Sequence, residues 1–515
     1  MSSPAAPPQP VFNARIALGL FGVLIAAMMA GLNGRVPSLV LVDLQGALGL
    51  GHDEASWLTT AYSAGELAAM PFAAWMAVTF SMRRFHLTML AASLTLSAVL
   101  PLVHDLHLLL LLRTLHGVVS GALVPVLMMA ALRFLPLSIR LHGLALFAMS
   151  ATFSPNIALW LAAVALDRFE DWRWAYWHVI PIGLLAATLV AWGIPKMPPA
   201  LPRLKQANWF GMALGAPGLM LLVVGVDQGV RLDWLNSSLI VAALGTGAVL
   251  TALYLLSETQ HPAPFVRIDL LKRRNLWIGF ICLVALMMIM ATAVGVPANL
   301  LGHLHGFRME QSASLGLALG LPQLVLGPCV ALLLYRRWID ARHVFAAGLS
   351  CLAAASWLTS GLTDEWMVRE FMGAVALHAI GQPLAMIAML FLMTSVVQPM
   401  EGPFMSGLVN IVRVLSTLAG SAFITQFMAV RGRFHSEMLL DQAATLLPRL
   451  PGSDALKGSL GETVATQASV LAAADTYRVF AMLALLLIPL VLRLQYIPAP
   501  MVDRSPSPAA PVAAH

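Results

Sequence analysis

Long apolar runs recur along almost the whole chain, and no other feature limits its fold more. A helix needs about 20 apolar residues to cross roughly 30 Å of hydrocarbon, whereas a barrel strand needs about 9–11. Because lipid offers the backbone no hydrogen-bond partners, runs of helix length are expected to be helices. They lie at about residues 15–42, 55–80, 86–104, 107–134, 142–166, 173–194, 208–227, 237–257, 276–303, 312–335, 343–362, 367–397, 404–430 and 477–497. We therefore predict an all-α integral membrane protein with fourteen spans.

The charged residues support this class and give an orientation. They make up only 10% of the chain, against roughly a quarter in soluble domains. The net charge is +6, and basic residues concentrate in alternate loops, as at 83–84, 203–205, 272–274 and 336–337. Because such loops face the cytoplasm, both termini are predicted to be cytoplasmic. The basic surplus therefore reflects topology, and we expect no nucleic-acid partner.

Two landmarks repeat at nearly the same interval. Arg113 and Gly117 in one apolar run match Arg369 and Gly373 in another, 256 positions later. Two short loops that each carry an arginine pair lie 253 positions apart. A duplicated half is the common plan of transporters that place a site near the bilayer midplane.

The predicted organisation has two bundles and a linker. It comprises a disordered tail (1–14), a six-helix bundle (15–195), a linker with two extra spans (196–275), a second six-helix bundle (276–497) and a disordered tail (498–515). A polar segment, 431–476, precedes the last span and is predicted to be amphipathic helix with a turn at 451–453, on the non-cytoplasmic side. It is interpreted either as a solvated flap or as a docking surface for a partner outside the membrane.

Five short stretches carry a family resemblance: 56–62 (SWLTTAY), 112–121 (LRTLHGVVSG), 172–174 (WRW), 227–237 (DQGVRLDWLNS) and 410–413 (NIVR). In this order they resemble the fourteen-span drug:proton antiporter branch of the major facilitator superfamily, the EmrB/QacA-type exporters. The resemblance runs over about residues 20–495. It implies two six-helix bundles plus two additional helices, and export of hydrophobic or amphipathic compounds across a bacterial inner membrane in exchange for protons. Members at the EmrB end also have an outer loop that engages a periplasmic adaptor leading to an outer-membrane channel.

Several positions depart from the family pattern. Asn33 occupies the position that is acidic in the family's first span. The loop motif after the second span keeps Arg83 and Arg84, but Ser81 stands at one of the positions where the family carries Gly, Asp or Arg. In the fifth span Pro155 remains, but alanines replace the paired glycines. These departures leave a second interpretation open, an anion carrier or facilitator of the same fold without proton antiport. A third is a non-transporting receptor or assembly component that uses the outer segment.

Four ionisable residues stand out inside predicted spans: Arg35, Glu66, Arg113 and Arg413. Each costs at least about 2.5–3.5 kcal/mol to insert, so each requires a partner or a function. Glu66 is interpreted either as a proton carrier or as a permanently ionised partner of Arg35 or Arg113. The resemblance implies that Arg113 takes part in proton coupling. Arg35 lies in a helix-weakening stretch, 33–37, and either pairs with Glu66, snorkels, or recognises an anionic substrate.

The remaining site predictions fall into two groups. The expected lining of a substrate cavity is Asn33, Arg35, Tyr62, His116, Asn156, His378, Gln382, Asn410 and Arg413. The expected structural motif residues are Arg83, Arg84, Gly117, Gly121, Pro155, Asp340, Arg369 and Gly373. We expect no metal and no cofactor. No nucleophile or phosphate-binding signature is found in the sequence, which argues against an enzyme and an ATP-driven pump.

Overall fold

The computed structural model describes residues 12–136, 138–446 and 453–500. The first half contains α1 (Ala14–Leu39), α2 (Leu41–Leu48), α3 (His52–Thr79), α4 (Met82–Val99), α5 (Leu106–Phe134), α6 (Arg140–Ala163), α7 (Trp174–Trp177) and α8 (Val179–Gly193). An additional pair follows, α9 (Trp209–Gly229) and α10 (Ser238–Gln260). The second half contains α11 (Arg274–Ala291), α12 (Gly295–His305), α13 (Met309–Leu334), α14 (Ala341–Thr359), α15 (Val368–Thr394), α16 (Gly402–Leu446) and α17 (Ser453–Leu492). Since no strand occurs within the described ranges, the all-α prediction is confirmed.

Twelve helical segments in the described part of the chain are long and apolar enough to cross a membrane. They coincide with twelve of the predicted spans. The predicted spans 55–80 and 343–362 correspond to α3 and α14, which are 28 and 19 residues long. Neither is among the twelve, because both are rich in alanine and small polar residues rather than in leucine and isoleucine. The membrane class is therefore confirmed, and the count of fourteen stays a prediction.

Short polar side chains begin several of these helices. Asn13 accepts a hydrogen bond from the backbone of α1 at 3.0 Å, Asp105 from that of α5 at 2.8 Å, and Asn208 from that of α9 at 2.9 Å. Each of these caps satisfies one of the free N–H groups that a helix start presents. These caps therefore mark where α1, α5 and α9 begin, at the predicted membrane surfaces.

The two halves meet along pairs of helices. α6 packs along α13, and α3 packs along α16. α9 and α10 pack together, and α9 lies against α3 and α16. At the end where α1 and α6 begin, Leu141 N donates to Tyr335 Oη at 3.2 Å, and the His142 ring stacks on Tyr335. At the same end Gly402 lies against Leu132. The bundles therefore touch each other at this end, which the charge pattern predicts to be cytoplasmic.

The expected weakening of the first helix is wrong. α1 runs without interruption through residues 33–37, and Pro37 lies only two residues before its last residue. Pro37 has no N–H to donate to Asn33 O, and this carbonyl accepts a hydrogen bond from Arg113 at 3.3 Å instead. Gly34 serves close packing instead, since a Cβ at that position would lie 2.6 Å from the Tyr62 ring.

The polar segment 431–476 is largely helical, as predicted. α16 continues to Leu446 and α17 begins at Ser453, so most of segment 431–476 extends these two helices. At about 1.5 Å per residue, the 45 residues of α16 span about 68 Å, against roughly 30 Å of hydrocarbon. Asp475 ties the pair together through Arg431 at 2.6 Å and His435 at 2.8 Å. The helical prediction is confirmed, and the segment is a pair of helical extensions rather than a loop.

One predicted span is interrupted. The 276–303 span consists of α11 and α12, with residues 292–294 between them. Tyr477 Oη donates to Thr292 O at 3.2 Å, which satisfies a carbonyl that the break releases. The predicted tails lie mostly outside the described residues, as does most of the predicted turn at 451–453, and the domain boundaries stay predictions.

Candidate functional site

A buried polar network lies inside the first bundle. Asn33 on α1 donates to Ser93 on α4 and to Ser120 on α5, both at 3.1 Å. His116 on α5 is within hydrogen-bond distance of Ser97, at 3.2 Å, and of Ser93, at 3.4 Å. All five side chains are buried. Three helices that lipid alone would not hold together are thus joined by hydrogen bonds.

Arg113 completes this network without a carboxylate. Its guanidinium donates to Leu58 O at 3.4 Å and to Asn33 O at 3.3 Å. It also lies over the rings of Tyr62, at 4.5 Å, and Tyr176, at 5.4 Å. Backbone carbonyls and ring faces both favour a cation. Although Arg113 is only 1% exposed, its charge is therefore accommodated by α1, α3 and the aromatic rings. The ion pair with Glu66, one of the alternatives considered for that acid, is not formed.

Two glycines fix the position of Glu66. A Cβ on Gly117 would contact the carbonyl of Tyr62 and lie 2.8 Å from Glu66 N. A Cβ on Gly121 would lie 2.8 Å from Glu66 Cα. Only glycine lets the two backbones come this close. The Arg113-x-x-x-Gly117 motif thus brings the α5 backbone against the α3 backbone at Glu66.

Glu66 faces the second bundle. α3 and α16 run antiparallel here, because a Cβ on Gly407 would lie 3.5 Å from the carbonyls of Met70 and Pro71, and Arg413 follows in the direction of Glu66. The Glu66 carboxylate and the Arg413 guanidinium interact electrostatically. No hydrogen bond or ion pair joins them within the described ranges, and Arg413 Nε is buried without a partner there. A carboxyl group on one bundle thus faces a guanidinium group on the other, with no hydrogen bond or ion pair between them in the described ranges.

A second polar cluster lies between the bundles. Gln382 on α15 accepts from Gln323 on α13 at 2.8 Å and from Asn156 on α6 at 3.4 Å. In the part of the chain described, Gln382 Nε2, Gln323 Oε1, His378 Nδ1 and Asn410 Oδ1 are buried without hydrogen-bond partners. Buried polar atoms are normally bonded to protein or water, so unpartnered ones indicate a place for a polar ligand or water.

Arg35 lies apart from these clusters. Its side chain is exposed, and no acidic residue of the described chain pairs with it, so of the alternatives considered for Arg35 the pair with Glu66 is not formed. An exposed cation on the helix that carries Asn33 remains available to an anion.

Besides Gly117 and Gly121, the first half has three structural motif residues, Arg83, Arg84 and Pro155. Arg83 donates to Ile194 O at 3.4 Å and so joins α4 to the end of α8. Arg84 is exposed. Pro155 lies inside α6 with an exposed ring, while the alanines beyond it are buried.

Their counterparts in the second half are only partly equivalent. Asp340 caps α14 and binds Arg342 at 2.7 Å. Arg369 is the second residue of α15 and is exposed, unlike buried Arg113. A Cβ on Gly373 would meet only the Leu358 side chain, at 3.4 Å. The two glycine motifs therefore occupy corresponding helices but only the first forms a close backbone contact.

Four of the clustered residues were missed by the sequence analysis. They are Gln323, Ser93, Ser97 and Ser120. The spacing of the serines could have identified them. Ser93 lies four residues before Ser97, and Ser120 lies seven residues after Arg113, so the members of each pair share a helix face. Gln323 could have been identified less clearly, as a polar amide side chain next to a proline in an apolar run.

Comparison with known proteins identifies the family. A model of the Major Facilitator Superfamily matches residues 23–421. The chain is 21% identical over 464 residues to the multidrug export protein EmrB of Escherichia coli K12, covering 88% of both proteins. It is 24% identical over 384 residues to the probable multidrug resistance protein EmrY of the same strain, covering 73% of this chain and 71% of that protein. The fatty acid resistance protein FarB of Neisseria gonorrhoeae is 23% identical over 503 residues, with 94% and 96% covered.

Solved structures agree on the fold. The peptide transporter POT superposes with a TM-score of 0.56 at 15% identity, covering 95% of this chain and 97% of that one. The human organic anion transporter MFSD10 superposes with a TM-score of 0.54 at 14% identity, covering 94% and 100%. At these identities the likeness concerns the fold alone. Together with the matched family model, it shows that the chain belongs to the Major Facilitator Superfamily and is a membrane transporter with multidrug exporters among its relatives.

Proposed function

We propose that this protein exports hydrophobic or amphipathic organic compounds across a bacterial inner membrane in exchange for protons, with both termini in the cytoplasm. The observation that carries the proposal is the placement of Glu66 on α3 opposite Arg413 on α16, across the seam between the bundles. The names of the relatives EmrB and EmrY, as multidrug export and resistance proteins, support the substrate class.

Proton coupling through Glu66 would be electrostatic. Two unit charges 4 Å apart interact by about 4 kcal/mol at an effective dielectric constant of 20, and by less as they separate. Because α3 and α16 belong to different bundles, rocking the bundles changes the distance between Glu66 and Arg413. The affinity of Glu66 for a proton then differs between the two states, which is what exchange of proton for substrate requires.

The substrate would bind between the bundles, near Gln323, Gln382 and His378. These side chains offer amide and imidazole groups without partners among the described residues, within an otherwise apolar core. A binding site of a few convergent polar groups in apolar surroundings suits a compound that is mostly apolar with one or two hydrogen-bonding groups.

The test uses everted membrane vesicles energised so that their lumen is acidic relative to the medium. Adding a panel of lipophilic dyes to wild-type vesicles should release protons in proportion to dye uptake. Glu66→Gln should abolish the proton release, whereas Asp43→Asn, which removes an exposed carboxylate on α2, should leave it unchanged. Unchanged proton release in Glu66→Gln would remove this residue from coupling.

The helical extensions of α16 and α17 support an adaptor partner. α16 and α17 are 45 and 40 residues long, about twice the length needed to cross the hydrocarbon core, and their extensions are polar. We propose that they dock a periplasmic adaptor that leads to an outer-membrane channel. Deleting residues 436–470 should abolish co-purification with the adaptor while leaving transport in everted vesicles intact; loss of vesicle transport in a well-folded variant would contradict a purely docking function.

One observation favours a second candidate, an anion carrier of the same fold. Arg35 is exposed and has no acidic partner in the described structure, and Arg413 Nε is likewise unpartnered there. Under this alternative, proteoliposomes should carry a current with an organic anion that is independent of pH and is lost in Arg35→Gln. Proton-dependent transport without such a current would exclude it.

A further inference from the structure

A groove opens at the end of α9 and α10 where the connecting segments lie. It consists of two adjoining cavities of about 540 and 370 Å³, and His261 and Pro262 line both. The first lies between α9 and α10, which are candidate membrane spans. The second is formed by the segments that precede α9 and follow α10, together with residues of α3 and α16. The groove thus runs from the hydrocarbon level to the membrane surface.

The cavity between α9 and α10 is apolar and open. Its walls include Phe210 and Leu214 of α9 and Leu253 and Leu256 of α10. Phe210 is 70% exposed and Leu256 is 54% exposed. In a membrane these side chains face acyl chains, so a groove between them is a natural place for a hydrocarbon chain.

The adjoining cavity presents two arginines. The guanidinium of Arg203 lies 5.4 Å from the Trp75 ring, and that of Arg267 lies 6.0 Å from the Phe404 ring. Within the described ranges neither forms an ion pair. Both are therefore oriented by aromatic faces, with their hydrogen-bonding edges free for an anion.

The acids of this cavity are already engaged. Asp269 binds Lys272 at 2.8 Å. Glu258 is 2% exposed and accepts hydrogen bonds from Asn208 at 2.8 Å and from the backbone of residues 265 and 266. Asp269 and Glu401 also act on Arg267 electrostatically, but neither forms an ion pair with it in the described ranges. The guanidinium edges of both arginines therefore stay open to a negatively charged ligand.

We propose that this groove binds one anionic glycerophospholipid of the surrounding bilayer, with an acyl chain between α9 and α10 and the phosphate between Arg203 and Arg267. A soluble anion would leave the apolar cavity unused, and a zwitterionic lipid would bring a cation to the arginines. Basic pockets next to spanning helices are recognised sites for anionic headgroups, and planar guanidinium groups match phosphate oxygens. The proposal is independent of what the protein transports.

Native mass spectrometry of protein released from nanodiscs with equal phosphatidylglycerol and phosphatidylcholine tests the site. Each basic residue near the surface contributes roughly a fivefold preference for an anionic lipid. The wild type should therefore retain one phosphatidylglycerol with a preference of roughly 30-fold. Arg203→Gln with Arg267→Gln should abolish the preference, while Arg336→Gln with Arg337→Gln, two exposed arginines of another loop, should keep it.

A second variant tests the apolar part without touching charge. Leu253→Trp fills the groove between α9 and α10 and should lower retention of phosphatidylglycerol, and added glycerol phosphate should not displace the lipid from the wild type. Equal retention of both lipids by the wild type would overturn the proposal. It would also be overturned if the control pair lost the preference as much as the Arg203/Arg267 pair, or if glycerol phosphate competed.

Discussion

Replacing Gly117 with alanine would force α5 away from α3. The new Cβ would contact the carbonyl of Tyr62 and lie 2.8 Å from Glu66 N. Since comfortable contacts lie at about 3.5–4.0 Å, α3 would have to withdraw by about 1 Å. Overpacking costs about 1–3 kcal/mol. Because the opposing atoms are helix backbone and cannot rotate away, we expect a loss near the upper end, about 3 kcal/mol.

Gly373→Ala is the matched control, since this glycine lies in the corresponding motif of the second half. Its Cβ would meet only the end of the Leu358 side chain at 3.4 Å, so its stability should change by less than about 0.5 kcal/mol. The assay is the fraction of monodisperse protein that survives heating in detergent. Because unfolding of large proteins is often irreversible, all variants must be heated identically.

Gly117→Ala should lower the midpoint of this heating curve by several degrees, and Gly373→Ala should match the wild type. Equal midpoints for both variants would refute the close α3–α5 contact. A loss of equal size in both would show that any added methyl group in these motifs is harmful, irrespective of the backbone distance.

Two further predictions concern the connecting segments. Ser81 has φ +73° and ψ 122°, a region that costs a residue with a side chain about 1–3 kcal/mol; Ser81→Gly should therefore raise the heating midpoint, and Ser81→Ala should not. Glu401 accepts two hydrogen bonds from Arg273, both at 2.7 Å, and these hold the pKa of Glu401 below its ordinary value. The charged form stabilises the fold above the unfolded pKa and loses this effect as pH falls through the folded pKa. Glu401→Gln should lower the free energy of unfolding by roughly 1–3 kcal/mol at neutral pH. It should also make the heating midpoint fall less steeply below about pH 4.5 than in the wild type. The same fall in both proteins would contradict a stabilising pair between Glu401 and Arg273.

The membrane fold follows from the sequence because apolar run length is a local property. Each backbone in lipid must bond within its own helix, so a run such as 107–134 specifies α5 (Leu106–Phe134) almost to the residue. Polar segments carry no such constraint. The continuation of α16 to Leu446 depends on contact with α17, through ties such as Arg431–Asp475, and hydropathy does not record that contact.

The site could be predicted as a set of residues but not as a set of contacts. Glu66 and Arg113 are conspicuous in apolar runs, and the insertion cost of charge left a pair between them as one alternative beside a proton carrier or a pair with Arg35. Instead Arg113 binds carbonyls and lies over aromatic rings, and Glu66 faces Arg413 on the other bundle. Which side chain meets which depends on helix rotation and on close approach at glycines such as Gly121, and neither is encoded in the spacing along one helix.

Cross-linking the bundles at the end where they touch tests the rocking motion most directly. A Cβ on Gly402, at the start of α16, would lie 3.8 Å from Leu132 Cβ on α5, the mean Cβ separation of a disulfide, about 3.8 Å. Leu132→Cys with Gly402→Cys, in a chain whose three native cysteines are replaced and which still transports, should stop transport when oxidised and recover when reduced. Full transport by the quantitatively cross-linked protein would contradict alternating access by motion of one bundle against the other.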